Sequence, residues 1–341
     1  MWPRSWPVRS HAVTVWTPAH GPDVSFAVVA EVRFGLGLPV GTHPMPPWIQ
    51  SAEAIAAVTK AAADSGFDHI FVTDHPAPPR RWLEAGGHDA FDPFVALTAV
   101  ALADPGIGLL TNLVPLAYRH PLILAKAAAS LDALAGGRLT LGVGVGYLRG
   151  EFAALDISFD ERNERVDAAL RTLGRLWGEG SVEVHDRADR SDEVVPLPVP
   201  PRGSIPIWIG GNAARTRQRV VDHAQGWMPM PNPAAFAPTV RSPALEGPAD
   251  LAAMLQDLRR RADRAERTEP IEVVFVVREG GAPASPEFET DEHLDALVTY
   301  ADLGVTGTNV TLDGRDLHEM LDGVARYGAT VIEPLQRRGE R

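Results

Sequence analysis

The sequence predicts an α/β protein that folds as a (β/α)8 TIM barrel with insertion loops. Eight short, apolar, β-prone stretches alternate with eight helical stretches, and such alternation requires a parallel sheet. The repeating units occupy about 300 residues, a length typical of a closed barrel of eight strands. An open, doubly wound sheet is the competing arrangement, but it would usually show a boundary into a second domain. We therefore expect residues 32–335 to form one barrel domain.

The first four βα units share a pattern of apolar strand, polar loop and helix. Ser51 is a preferred N-cap and Gly66 a stop signal, which predicts an alanine-rich helix between them. Pro93 and Pro121 each favour the first turn of a helix. The expected strands are 32–39, 67–75, 106–115 and 139–145, and the expected helices are 52–65, 93–103, 121 to the Gly136-Gly137 pair, and 161–177.

The second half repeats the pattern around two proline-rich stretches, 178–206 and 231–249. We expect no regular element in 178–206, because it is first charged and then rich in proline. The expected strands are 205–212, 226–230, 271–277 and 307–312, and the expected helices are 213–223, 250–267, 291–303 and 317–327.

Composition limits the class of protein. The formal charge of −12 would repel nucleic acid and anionic membranes, so neither is expected as a partner. The absence of cysteine excludes disulfides and thiolate chemistry and fits a cytoplasmic protein. No apolar run is long enough to span a bilayer. Residues 1–31 make a poor signal peptide, and we expect a poorly structured lead-in or an over-long start.

The barrel places functional side chains at the C-terminal ends of its strands. Asp74-His75 follows the second strand, where the carboxylate accepts N–H donors and the histidine moves protons near neutral pH. The alternative is that Asp74 caps the following loop and His75 is a solvated or satisfied histidine. Both interpretations stay open.

The stretch Leu139–Val145 has glycine at alternate positions, Gly142, Gly144 and Gly146. Without side chains on one face, such a strand lets a backbone or a flat ligand approach closely. A dinucleotide-binding fingerprint is disfavoured, because the third glycine of that motif is missing. The alternative is that the glycines ease packing with no ligand nearby.

Gly210-Gly211-Asn212, just before a helix, predicts an anion site made of backbone N–H groups and a positive helix end. Arg215, Arg217 and Arg219 follow and could supplement it. The alternative is a tight turn with solvated arginines.

Other classes of site are disfavoured. The histidines and acids lack metal-ligand spacing and HExxH is absent, so no metal is expected. The GxSxG motif of serine hydrolases is absent, so a serine hydrolase is not indicated. We expect four acidic residues near the fourth strand to cap and decorate the helix at 161–177. They are Glu151, Asp160, Glu161 and Glu164.

Four segments resemble the luciferase-like monooxygenase superfamily, and most closely its deazaflavin (coenzyme F420)-dependent oxidoreductases. They occur in the family's order between about Val32 and Met230, while the C-terminal third matches only in layout. The segments are GFDHIFVTDH (66–75), YRHPLILAKAAASLDALAGGRLTLGVGVGYLRGEF (118–152), FDERNERVDAALRTLGRLW (159–177), and IPIWIGG followed by HAQGWMP within 205–229.

The resemblance implies a bacterial luciferase-like barrel that binds a flavin or deazaflavin at its C-terminal mouth. Thr111-Asn112 corresponds to a bulge, often with a cis non-proline peptide, that backs the ring. Asp74 and His75 would lie beside the ring as catalytic residues, with His75 the acid/base. The implied cofactor-binding residues are Asp74, Thr111, Asn112, Gly144, Gly146, Tyr147, Gly210, Gly211 and Asn212.

Three residues depart from the family pattern: Leu110, Tyr147 and Gln225. Tyr147 stands where some F420 dehydrogenases carry a catalytic glutamate, which disfavours a sugar-phosphate substrate.

The sequence thus indicates an F420-dependent oxidoreductase acting on a small molecule. An FMN-dependent monooxygenase and a non-catalytic cofactor-binding protein are the alternatives. Dimerisation is common among similar barrels, so a homodimer is compatible with the resemblance. The loops 40–50, 76–92, 178–204 and 231–249 are expected to shape the substrate site.

Overall fold

Eight parallel strands form a barrel in the computed structural model, which describes residues 32–39, 43–185 and 190–339. In space they run in the order β7-β6-β5-β4-β3-β2-β1-β8, and a parallel bridge between Val274 and Gly307 joins the two ends. This confirms the predicted fold class. The expected lead-in at residues 1–31 lies outside the described residues. The strands are β1 Arg33–Gly37, β2 His69–Val72, β3 Gly108–Thr111, β4 Leu139–Gly144, β5 Ile207–Gly210, β6 Gly226–Met228, β7 Glu272–Val273 and β8 Gly307–Val310.

Each barrel strand is followed by one long helix. Ser51 and Asp92 cap the first two through side-chain oxygens that accept N–H groups of the first turn, as Ser51 was expected to do. Among the described residues, no helix is both long and apolar enough to cross a membrane. The long helices are Ala52–Asp64, Pro93–Ala103, Pro121–Leu134, Arg162–Gly178, Ala214–His223, Pro248–Arg264, Thr290–Leu303 and Leu317–Tyr327.

Shorter helical segments occupy the loops and the end of the chain. Two of them, Arg80–Glu84 and Arg149–Ala154, follow β2 and β4 and bring side chains to the barrel mouth. The others are Pro47–Ile49, Leu116–Tyr118 and Ala237–Val240, and a π-helical turn Gly328–Ile332 that continues into Glu333–Gly339.

The apolar core lies between the barrel and its helices, and it also fills the barrel. Inside the barrel, His69 of β2 pairs with the side chain of Asn309 of β8 at 2.9 Å, and its ring contacts Trp208. Burial lowers the pKa of His69 to about 4. The histidine is therefore neutral in the fold, and Asn309 satisfies it.

Residues 178–206 differ from the prediction. An antiparallel hairpin of Val182–His185 and Ser191–Val194 stands there outside the barrel. In its first strand two valines alternate with Glu183 and His185, which is the pattern of a half-exposed strand, but the surrounding charge and proline obscured it. The seventh strand is also shorter than predicted. It comprises Glu272–Val273, and beyond it Val274 and Phe275 make single contacts with the neighbouring strands.

Candidate active site at the barrel mouth

Asp74 lies just beyond β2 and is almost completely buried, with 3% of its surface exposed. Arg119 donates to its Oδ2 from Nε at 3.3 Å and from a terminal nitrogen at 3.0 Å. Burial raises the pKa of Asp74, and the Arg119 guanidinium acts in the opposite direction. Arg119 also bonds Asp92, the cap of the next helix. Asp74 thus accepts N–H donors as expected, but from a side chain rather than as a loop cap.

His75 lies against a second buried carboxylate, that of Glu151. Its Nδ1 atom is 3.3 Å from each oxygen of Glu151, which is only 1% exposed. Tyr118 donates its hydroxyl to Glu151 at 3.0 Å, and the backbone N–H of Ala77 donates at 3.4 Å. These donors satisfy the buried carboxyl oxygens and hold them against the imidazole.

The expectation that Glu151 decorates the helix at 161–177 is therefore wrong. Glu151 belongs to the separate short helix Arg149–Ala154, which directs it inward under the barrel mouth. The signal available in the sequence was the tract GYLRGEF, in which Glu151 and the apolar Phe152 stand together beside a strand end. Glu164, by contrast, does lie on the outer helix, where it faces Arg215.

Three further rings surround His75. The ring of Trp82, on the short helix Arg80–Glu84, is 4.6 Å from the imidazole centroid, and the rings of His88 and Tyr147 are at 5.0 Å and 6.3 Å. Burial raises the pKa of Tyr147, and the charge of Glu151 adds to that shift. Burial lowers the pKa of His88. The insertion after β2 therefore covers His75 with aromatic groups.

These histidines and acids do not form a metal site. Among the described residues, no group of three or more such side chains has a geometry that could hold a metal ion.

The expected bulge after β3 is present. The Asn112–Leu113 peptide is cis, and the strand resumes at Val114–Pro115, which pairs with β4. Thr111, the last residue of β3, donates its hydroxyl to the carbonyl of Gly142 at 2.8 Å.

The alternate glycines make room for this bulge. A Cβ on Gly142 would lie 1.8 Å from the Thr111 carbonyl oxygen. A Cβ on Gly144 or on Gly210 would lie 2.4 Å or 2.2 Å from the side chain of Leu113. The close approach predicted for the glycine strand is thus confirmed for protein groups, namely the backbone of β3 and the residue after the cis peptide.

The Gly210-Gly211-Asn212 turn is held from several sides. Gly211 has a φ of +117°, and its N–H donates to the carbonyl of Met228. Trp227 donates its indole N–H to the carbonyl of Gly211 at 2.9 Å. Asn212 is fully buried, and its side chain bonds the backbone of Met230 and Pro243. The Asn212 side chain is therefore used in bracing the loop after β6.

Of the anion site expected at this turn, the start of the helix is available, whereas the backbone N–H groups of Gly211 and Asn212 donate to Met228 and Ser242. The helix Ala214–His223 begins after Ala213 without a side-chain cap, which leaves a positive end at the mouth of the barrel. Ala213 itself accepts the first helical bond from Arg217.

The three arginines of that helix form ion pairs with neighbouring helices, and Arg217 also donates to the carbonyl of Asn212 in the turn at 2.7 Å. Arg215 and Arg219 pair with Asp167 at 2.6 Å each, and Arg217 pairs with Asp257 at 2.7 Å. These ion pairs tie the helix Ala214–His223 to its two neighbours, Arg162–Gly178 and Pro248–Arg264.

The fold therefore brings the expected residues into two groups. Asp74, His75 and Tyr147 surround the ends of β2 and β4. The others lie along the bulge and the turn at the ends of β3 to β5, where Gly146, with a φ of +82°, is next to Tyr118. This second group comprises Thr111, Asn112, Gly144, Gly146, Gly210, Gly211 and Asn212.

Comparison with known proteins gives a family match. The family model described as luciferase-like monooxygenase matches residues 26–302, most of the chain.

Similar curated proteins include the F420-dependent hydroxymycolic acid dehydrogenase of Mycobacterium tuberculosis, 29% identical over 52% of this chain and 48% of that protein. The F420-dependent glucose-6-phosphate dehydrogenase of Beutenbergia cavernae is 34% identical over 46% of this chain and 49% of that protein. The chain thus spans about half the length of the curated relatives it matches.

Solved structures share the fold. The monooxygenase RslO1 of Streptomyces bottropensis superposes with a TM-score of 0.69 at 22% identity, covering 89% of this chain and 99% of that one. The coenzyme F420-dependent tetrahydromethanopterin reductase of Methanopyrus kandleri gives 0.65 at 17% identity, covering 90% and 100%.

Proposed function

The chain belongs to the luciferase-like monooxygenase family, and on that premise we propose that it is an F420-dependent oxidoreductase acting on a small organic substrate. Hydride would pass between the deazaflavin and the substrate. The observation that carries the proposal is the contact of His75 with the buried Glu151 at the barrel mouth. Relatives named as F420-dependent dehydrogenases support the choice of cofactor.

The residues at the mouth fit such a cofactor. The bulge at Asn112–Leu113, for which the glycines of β4 and β5 make room, provides a surface at the barrel mouth against which a flat ring would lie. The uncapped start of the helix Ala214–His223, after Gly210-Gly211, suits its phosphoryl group. When bound, the deazaflavin supplies the carbon that accepts or gives up hydride.

His75 would move the proton that accompanies hydride transfer. The carboxylate of Glu151 engages Nδ1, which favours the tautomer protonated there and leaves Nε2 as the atom for exchange with the substrate. For an alcohol substrate, Nε2 accepts the hydroxyl proton during oxidation and returns it during reduction. Glu151 orients the imidazole and stabilises its protonated form.

The aromatic rings that lie against His75 would exclude water from the proton transfer. Trp82 and His88 lie against His75 and come from the insertion after β2, so that segment contributes to the substrate pocket. Tyr147 places a phenol near His75, at the position where the resemblance implies a glutamate in some F420 dehydrogenases. This supports a substrate other than a sugar phosphate.

A His75→Asn variant tests the proposal. We expect it to retain F420 binding and to lose turnover with substrates found by screening for F420 reduction or oxidation. A non-catalytic binding protein would give no turnover in either form. An FMN-dependent monooxygenase would instead consume oxygen with reduced FMN and ignore F420. The cytoplasmic location and the homodimer stay predictions.

A further inference from the structure

Three arginines converge on the ring of Phe159 near the barrel mouth. The guanidinium carbons of Arg149 and Arg162 are each 4.0 Å from the ring centroid, and that of Arg241 is at 5.0 Å. We call these three residues the arginine cluster. Phe159 itself is buried, so the ring fixes the three cations around one point.

The cluster is assembled from three separate segments. Arg149 begins the short helix after β4, Arg162 begins the long helix that follows it, and Arg241 ends the helix Ala237–Val240 after β6. All three segments follow the C-terminal ends of their strands, on the same side of the barrel as His75.

The cluster lies next to the proposed phosphoryl site. Ser242, the neighbour of Arg241, accepts the backbone N–H of Asn212 through its hydroxyl at 3.3 Å. Asn212 ends the Gly210-Gly211-Asn212 turn. A ligand anchored at this turn therefore has the cluster beside it.

A second chain of contacts joins the cluster to the catalytic pair. The ring of Phe159 is 5.0 Å from that of Phe152, which is 4.7 Å from that of Tyr118. The hydroxyl of Tyr118 bonds Glu151. The cluster thus lies within a few side chains of the reacting groups.

The three guanidinium groups of the arginine cluster lie close to one another. Because each guanidinium carbon is within 5.0 Å of one centroid, any two are less than about 10 Å apart, the range over which salt leaves charges unscreened. The pKa of Arg162 is lowered by burial first and then by Arg241 and Arg149.

Carboxylates lie near two of the three arginines, Arg149 and Arg162. Asp160 lies 3.6 Å from Arg149, and Glu164, the other carboxylate near Arg162, also faces Arg215. In a chain with a formal charge of −12, this grouping marks a site for an anion with several charges.

We propose that the arginine cluster binds the oligoglutamate chain that F420 carries beyond its phosphoryl group. The inference rests on the proposed function. One phosphoryl group offers a single anionic centre, which the helix start would receive. Successive glutamates instead present several carboxylates, each of which can pair with one guanidinium group. FMN ends at its phosphate, so the cluster would also favour F420 over FMN.

The test is a fluorescence titration of the apo-protein with F420 forms that carry no glutamate or several. At low ionic strength we expect the long-chain form to bind at least fivefold more tightly than the form without glutamate. The difference should largely disappear in 0.5 M salt and in the Arg149→Gln/Arg241→Gln variant. Arg162 is kept, because it also bonds the carbonyl of Phe159.

Arg171→Gln is the matched control. It removes the same kind of charge from an exposed position of the helix Arg162–Gly178, away from Phe159, and should leave the fivefold ratio in place. A thermal melt of each variant verifies folding.

The outcomes separate the two proposals. Equal binding of both forms by the native protein overturns the inference but leaves F420 as the cofactor. A double variant that weakens both forms equally also overturns it, because the cluster would then serve the phosphoryl group common to both. Binding of neither form refutes the proposed function itself.

Discussion

The Nδ1 atom of His75 lies 3.3 Å from both carboxylate oxygens of Glu151. The two residues follow β2 and β4, strands that are separated in the barrel by β3. A histidine oriented by a buried carboxylate is a common arrangement for proton transfer near neutral pH. In this chain the pair lies beside a glycine-lined bulge, which is why we assign it the proton step of a hydride transfer.

Replacement of Glu151 by glutamine should lower kcat by roughly 100-fold, because the amide does not stabilise the protonated imidazole. F420 affinity should change little. The measurements are steady-state kinetics with a screened substrate, their pH profile, and the His75 tautomer by nitrogen NMR. Glu164→Gln, on the outer helix, serves as the control and should behave as the native protein. An unchanged kcat and tautomer in Glu151→Gln would remove Glu151 from the mechanism.

Because β3 approaches β4 closely, replacing Gly142 should affect stability differently from replacing Gly174. Gly142→Ala should destabilise the protein by about 1–3 kcal/mol, because its Cβ would lie 1.8 Å from a backbone oxygen of Thr111. Gly174→Ala, on an exposed helical position with no atom nearby, should be neutral or stabilising by up to about 1 kcal/mol. Chemical denaturation measures both, and equal effects would contradict the described packing.

The ion pair between Asp74 and Arg119 predicts that a substitution of Asp74 recovers part of the stability lost when Arg119 is replaced. Arg119→Met leaves a buried carboxylate without its cation and should cost about 3 kcal/mol of stability. Adding Asp74→Asn should restore part of the loss, because a neutral amide is less costly to bury. A double-mutant cycle by denaturation gives the coupling energy, and strictly additive losses would show that the two side chains do not interact.

His69 predicts an acid-sensitive fold. Its pKa is about 4 in the folded protein and about 6.5 when unfolded, so the unfolded chain takes up a proton first as the pH falls below 6.5. This group alone should remove about 2 kcal/mol of stability between pH 7.5 and pH 5. His69→Gln should flatten that part of the curve, whereas the exposed His318→Gln should not. Identical slopes in all three proteins would refute the assignment.

Much of the fold was predictable because its signals are local. Alternating apolar strands and capped helices repeat eight times, and Ser51, Pro93 and Pro121 stand at helix starts as expected. The paired strands Val182–His185 and Ser191–Val194 were missed because their valines are embedded in charge, and Pro196 and Pro198 follow shortly after them. The short seventh strand was overestimated because an apolar run does not specify how many residues join a ladder.

The residues of the candidate site that lie at strand ends could be predicted from the sequence. Those that lie in the segments inserted after the strands could not. Asp74, His75 and the bulge at Asn112 follow from strand position and family resemblance. Glu151 was misassigned because its inward direction depends on a short helix with weak local signals. The arginines after Gly211 were misjudged because their partners, such as Asp167, are distant in sequence.

The choice of cofactor is tested by titrating the purified apo-protein with F420 and with FMN and following the fluorescence. We predict saturable F420 binding that is clearly tighter than FMN binding. It should weaken when Gly144→Val displaces the bulge by colliding with Leu113, and it should persist in His75→Asn. A preference for FMN would instead indicate a flavin-dependent monooxygenase. Binding of neither cofactor would contradict the assignment of the bulge and the Gly210-Gly211 turn as a cofactor site.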